Sequence, residues 1–263
     1  MEIFTYEFMR RAFIVGTLLA ILLPCMGLPI ILKRLSMMGD TLAHSSLAGV
    51  AIGLCLGIHP LLGSIVACVI AGLSIEFIRN KLKAYQEIST VIILAASIGL
   101  AGIFTSFAGN SNSISSYLFG SIVTISDTEF YLIILVTIVV IIIYRMIYTK
   151  LYLTVFDDMA ASILGIRTKW INFVFTLLGA IAISISAKTI GSLIVSSLLV
   201  IPGICAMQIS RTYRQTLILS IVLSLVYVYM GLVISYYGNL KPGSVIVLIA
   251  VVGLLVCMFI KRK

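Results

Sequence analysis

The chain has 263 residues, of which 61% are hydrophobic and only 10% charged, with a mean hydropathy of +1.22. A soluble domain carries about 25% charged residues, so a water-soluble globular fold is excluded and a polytopic membrane protein is indicated. The formal net charge of +9 does not indicate nucleic-acid binding, because the basic residues fall between apolar runs, where the positive-inside rule places them.

A helix of about 20 apolar residues crosses the hydrocarbon core. The stretch EIFTYEFMRRAF at the start predicts an interfacial helix with Arg10 and Arg11 at the headgroups. Nine apolar runs then follow, at 12–32, 38–57, 61–79, 90–108, 128–148, 170–187, 190–208, 215–237 and 243–260. The second and seventh are short or rich in small residues, and a re-entrant path for one of them leaves eight crossings as the competing count. The first run has no A-x-A-like site after it and is expected to stay in the bilayer. The expected fold is an all-α transmembrane helix bundle of eight or nine spans, forming one domain over 1–263. With nine spans and a cytoplasmic C-terminus, fourteen of the 18 Lys and Arg residues fall in cytoplasmic segments.

The second run contains the chemistry. Asp40 is the only carboxylate well inside a predicted span, and an Asp at a helix centre costs about 2.5–3.5 kcal/mol on insertion scales. His44 follows four residues later, so both side chains share one helix face. Carboxylate plus neutral imidazole suits zinc, manganese or ferrous iron. Two ligands do not complete a coordination shell, so a symmetric dimer, waters or other spans must supply the rest. The alternative is an Asp–His hydrogen bond that tightens helix packing, or a helix start capped by Asp40. On the next stripe Ser45, Gly49, Gly53 and Gly57 form a row of small residues that lets another helix approach closely.

Further along, His59 lies in a tight connection before Pro60 and is expected to be a solvated loop residue. The Ser-rich segment 109–129 is expected outside. Segment 149–170 is expected to be cytoplasmic, with an amphipathic helix whose front carries Asp157 and Asp158 and whose C-terminus suits Gly165. Lys188 is expected to snorkel to the interface. The five cysteines all lie in apolar runs without a C-x-x-C, as small packing residues do. No P-loop, G-x-S-x-G or H-E-x-x-H is present, so the chain is not expected to be an enzyme.

The stretches MGDTLAHSSLAGVAIGL, SYLFGSIVTIS, FDDMAASILGI, TIGSLIVSSLLVIPGICAMQISRTYRQ and SYYGNLKPGSVIVLIAVVGLL, in that order over about residues 12 to 258, resemble the signatures of the membrane permeases of zinc and manganese ABC importers. Ala48 stands where that family usually has Pro, and PGICA replaces PAATA. The resemblance implies a type II importer permease in a bacterial cytoplasmic membrane, paired with a second copy. It also implies separate cytoplasmic ATP-binding subunits that hydrolyse ATP, and an extracytoplasmic metal-binding protein. Asp40 and His44 would line the translocation path. Residues 156–165 would be the coupling helix, with Phe156, Asp157, Asp158, Ala160, Ala161, Leu164 and Gly165 at the ATPase. The metal would be cargo, and no permanent cofactor is implied. Two alternatives stay open: a proton-coupled secondary transporter using Asp40 and His44 as a relay, and a haem- or siderophore-type permease.

Overall fold

The computed structural model describes residues 6–82, 86–108 and 127–261. Its elements are helices: α1 (Glu7–Leu32), α2 (Met38–Cys55), α3 (Pro60–Lys81), α4 (Gln86–Ala108), α5 (Asp127–Phe156), α6 (Asp158–Ile163), α7 (Thr168–Ile190), α8 (Ser192–Ile209), α9 (Tyr213–Gly238) and α10 (Pro242–Lys261). Among the described residues there is no strand. Nine of these helices have 18 residues or more and match the nine apolar runs in order.

The differences lie at the ends. α1 begins at Glu7, so the expected interfacial stretch is the first turns of the span itself. α5 continues to Phe156 and is 30 residues long, where the sequence predicts a connection from 149. At 1.5 Å per residue it extends about 45 Å, well beyond a hydrocarbon core of about 30 Å.

Among the described residues eight helices are long and apolar enough to cross a membrane. The remaining long helix is α2, whose composition carries Asp40 and His44. It packs along α3. The Cys68 thiol donates to the Leu42 carbonyl at 3.1 Å, and Ser46 bonds Ser64 at 2.7 Å. A Cβ on Gly49 would stand 2.3 Å from the Gly63 carbonyl oxygen. Residues 42, 46 and 49 thus meet 68, 64 and 63, so α2 runs antiparallel beside α3 from Leu42 to Gly49.

The described residues divide into two compact units whose boundaries fall inside α1, α5 and α7. One takes 6–28, 127–137 and 186–261, and the other takes 29–82, 86–108 and 138–185. In the first unit, α1 meets α8 where Gly27 faces the backbone of Leu199, and α9 meets α10 where Gly231 faces Ile246. Small residues do this work because lipid supplies no hydrophobic force between helices. Two cations in this unit are paired with carboxylates. Arg11 binds Glu7 at 2.6 Å and also Asp127. The Lys188 side chain, only 11% exposed, pairs with Glu129, so it ends on a carboxylate rather than snorkelling alone to the interface.

In the second unit α2 is the core. A hydroxyl seam holds it: Ser45 to Ser97 on α4 at 2.6 Å, Ser46 to Ser64 on α3, and Ser64 onward to Ser184 on α7 at 2.6 Å. Thr41 also donates to the Thr90 carbonyl at 3.1 Å. Gly57 lies past the end of α2 at φ +68°, and a Cβ there would meet nothing within 4 Å. Its role is therefore the turn, not the helix packing expected of it.

The Gly49–Gly63 approach gives the first prediction. Gly49→Ala forces a methyl into backbone and should cost about 1–3 kcal/mol, the usual range for overpacking. Gly99→Ala on α4, where a Cβ meets nothing within 4 Å, should be neutral or stabilise by up to about 1 kcal/mol. Thermal unfolding of the purified protein in detergent separates the two. Equal midpoints for both variants would refute the close approach.

Candidate functional site

α2 starts without a side-chain cap: the N-cap residue is Met37, which makes no cap bond. Asp40 therefore does not cap the helix. It sits in the first turn, where the exposed N–H groups and the helix dipole favour its negative charge. This lowers the cost of a carboxylate at that depth.

Burial along α2 isolates the pair. From Met38 to Ala51 every residue is buried except Asp40 and His44. Their side chains are 34% and 26% exposed. One turn of helix separates them, so they form a narrow polar strip on an otherwise enclosed element.

His44 Nε2 stands 3.7 Å from Asp40 Oδ1. That is beyond the range of about 2.7–3.2 Å for a hydrogen bond to nitrogen, so the packing alternative of a direct Asp–His hydrogen bond is not made. The spacing suits two ligands of one ion. Two tetrahedral ligands at about 2.1 Å from a metal lie about 3.4 Å apart, a few tenths of an ångström from the observed separation. Among the described residues no group of three or more His, Cys, Asp or Glu could hold a metal. The strip therefore offers two donors per chain.

His59 is not a loose loop residue. It is the N-cap of α3, and its Nδ1 accepts from the Leu61 N–H at 3.3 Å, with Pro60 following in the first helical turn. The hydroxyls that position α2 carried no sequence motif: Ser46, Ser64 and Ser184 are 3%, 0% and 0% exposed. Their only signal was the recurrence of hydroxyl groups in apolar runs, where each must find a partner.

The second candidate region follows α5. Asp157 caps α6, its carboxylate accepting from the Met159 and Ala160 N–H groups at 2.9 Å each. Gly165, at φ +79°, closes the helix, and the Ile166 N–H reaches back to the Ala161 carbonyl. Between these stops the apolar side chains point outward: Phe156, Met159, Ile163 and Leu164 are all exposed, and Ile163 is 81% exposed. Asp158, Ala160 and Gly165 are exposed with them. Ala161 differs from its neighbours. It is 1% exposed and anchors the segment to its own chain rather than offering it to a partner. Of the expected outer segment 109–129, residues 109–126 lie outside the described residues.

The sequence profile of the ABC 3 transport family matches residues 5–261. A protein of Treponema pallidum named a probable metal transport system membrane protein is 36% identical over 250 residues, covering 95% of this chain and 94% of its own. The manganese transport system membrane protein MntC of Listeria monocytogenes is 27% identical, over 94% of this chain and 88% of its own. The solved structure of PsaBC from Streptococcus pneumoniae in complex with Fab superposes with a TM-score of 0.87 at 25% identity, covering 98% of this chain and 94% of that one. With a family match over nearly its whole length and a relative this similar across it, the chain belongs to the ABC 3 transport family.

Proposed function

We propose that the chain is the permease of an ATP-driven importer that carries a divalent transition metal (zinc, manganese or ferrous iron) across the cytoplasmic membrane of a bacterium. Asp40 and His44 form a transient station on the path. One observation carries this reading: they are the only two open positions from Met38 to Ala51 on an otherwise buried helix. The relatives named for metal and manganese transport support the cargo class.

The station answers a solvation problem. Stripping water from even a singly charged ion in a low-dielectric medium costs of order 20 kcal/mol by Born estimates. A carboxylate and an imidazole replace part of the lost shell. A second copy of the chain would bring a second pair, giving four donors in a symmetric dimer. The metal arrives from an extracytoplasmic metal-binding protein and leaves to the cytoplasm, where the C-terminus also lies.

The outward apolar surface of α6 supports the docking of cytoplasmic ATP-binding subunits, which hydrolyse the ATP. Exposed apolar patches beyond the bilayer mark interaction sites, and α5 is long enough to carry α6 there. A proton-coupled carrier has no use for such a surface, which favours the ATP-driven reading.

Two expected outcomes follow. Asp40→Asn removes the charge and keeps the shape, and His44→Ala removes the imidazole. Each should bring uptake of radioactive zinc or manganese to background, in cells lacking other importers, while membrane abundance holds. Asp40→Glu should retain part of the activity. Normal uptake by both variants at normal abundance would make the pair structural. For docking, Ile163→Glu combined with Leu164→Glu should abolish co-purification of the ATP-binding subunit. Permease stability should change by no more than about 0.5 kcal/mol, because both side chains are exposed. Co-purification at the normal ratio would remove α6 from the interface.

A further inference from the structure

The turn between α1 and α2 is short and tightly bonded. The Lys33 N–H donates to the Pro29 carbonyl at 3.0 Å and the Leu35 N–H to the Ile30 carbonyl at 2.9 Å. Arg34 takes a left-handed backbone conformation at φ 58°, which a side chain of this size rarely adopts. The Met38 N–H then bonds the Leu35 carbonyl at 2.8 Å and starts α2. A displacement of this turn therefore passes to α2 as a body. Asp40 lies seven residues from Lys33.

Lys33 fastens the turn to α7. Its ammonium donates to Asn172 Oδ1 and lies 5.8 Å from the centre of the Phe175 ring. Asn172 and Phe175 are both buried, at 7% and 3% exposure. Beside them the last turns of α3 carry the Arg79–Glu76 pair at 2.7 Å, with both side chains nearly enclosed. Burial pushes the Lys33 ammonium down to about 8, and the Arg79 guanidinium adds to that push, whereas Asp158 and Glu76 favour the charged form. Asp158 is the first residue of α6. One ammonium thus touches α7 directly and feels the charges of α3 and α6.

α6 is joined to α7 by a connection of four residues, and it is closed by the Ile166-to-Ala161 bond. Asn172 stands in the second turn of α7. Motion imposed on α6 has a short, hydrogen-bonded route to the root of α2: along the connection, through Asn172, into Lys33.

We propose that Lys33 and Asn172 are positioning residues that pass the displacement of α6 to α2 and so to Asp40 and His44. The inference rests on the reading of α6 as the docking helix. It assigns a role to two residues that touch neither cargo nor the docked subunit.

The test uses the permease with its co-purifying ATP-binding subunit, in proteoliposomes, measuring manganese or zinc moved and ATP hydrolysed. Lys33→Met and Asn172→Leu should keep the subunit bound at the normal ratio and continue to hydrolyse ATP. The ATP consumed per ion should rise about tenfold or more, the effect expected when a hydrogen bond to a charged group is lost. Lys33→Arg, which can still donate to Asn172, should return that ratio to within about threefold of the parent. A merely structural role lowers stability, hydrolysis and transport together and leaves the ratio unchanged. An unchanged ratio in either variant would overturn the proposal. Should Lys33→Met not fold, Asn172→Asp, which keeps an acceptor for the ammonium, must behave like the parent while Asn172→Leu uncouples; equal ratios for these two would overturn it as well. Failure of the docking reading shows separately, as normal co-purification in the Ile163→Glu, Leu164→Glu protein.

Discussion

α2 lies so close to α3 that neither Gly49 nor Gly63 has room for a methyl group: a Cβ added to one or the other would fall 2.3 or 2.4 Å from the opposing carbonyl oxygen. The rest of the second unit depends on this approach. Lipid tails are as apolar as leucine, so helices in a membrane associate through close packing and interhelical hydrogen bonds. The glycines provide the first and the hydroxyl seam from Ser46 through Ser64 to Ser184 provides the second. Together they hold a helix that carries an aspartate and a histidine. They also fix its rotation, and rotation decides which side chains stay open. From Met38 to Ala51 the only positions left partly open are Asp40 and His44.

Much of the fold was legible in the sequence, because a span of apolar residues has one viable structure in lipid. The nine runs, their order and their approximate ends follow from that constraint. Asp40 and His44 were legible for the same reason: a charged residue in a span needs a cause, and spacing of four puts the pair on one face. The ends were less legible. Leu151 and Phe156 extend α5 as ordinary helix formers, and hydropathy does not distinguish a helix leaving the membrane from a loop beginning there. Gly57 continued the four-residue row by count, but α2 had already ended at Cys55.

What stayed hidden depends on contacts between distant parts of the chain. Ser64 and Ser184 are 120 residues apart, and Lys33 and Asn172 are 139 apart. No periodicity couples such positions. Lys188 illustrates the consequence. A lysine near the end of an apolar run has two solutions, reaching water or finding a carboxylate, and sequence alone does not choose between them. Here Glu129 is within reach and the ammonium pairs with it. The inward turn of Ala161 is of the same kind. An amphipathic pattern identifies a face without saying whether that face meets its own chain or another.

The charged pairs differ in how closely they approach. Arg79–Glu76 and Arg11–Glu7 close at 2.7 and 2.6 Å, the distances of charge-assisted hydrogen bonds. Asp40 and His44 stand at 3.7 Å. A closed pair spends its electrostatic attraction on itself and binds a passing cation poorly, because the cation must first break it. A pair held slightly too far apart to hydrogen-bond leaves a position that both can address. For the proposed station the same opening sets a limit on affinity, since two donors from α2 leave most of a coordination shell unfilled. Conduction needs binding favourable enough to admit the ion and weak enough to release it, and that is the demand the proposed Asp40–His44 station has to meet. The glycine contact and the hydroxyl seam fix the orientation of α2, and that orientation leaves Asp40 and His44 partly open while their neighbours from Met38 to Ala51 are buried.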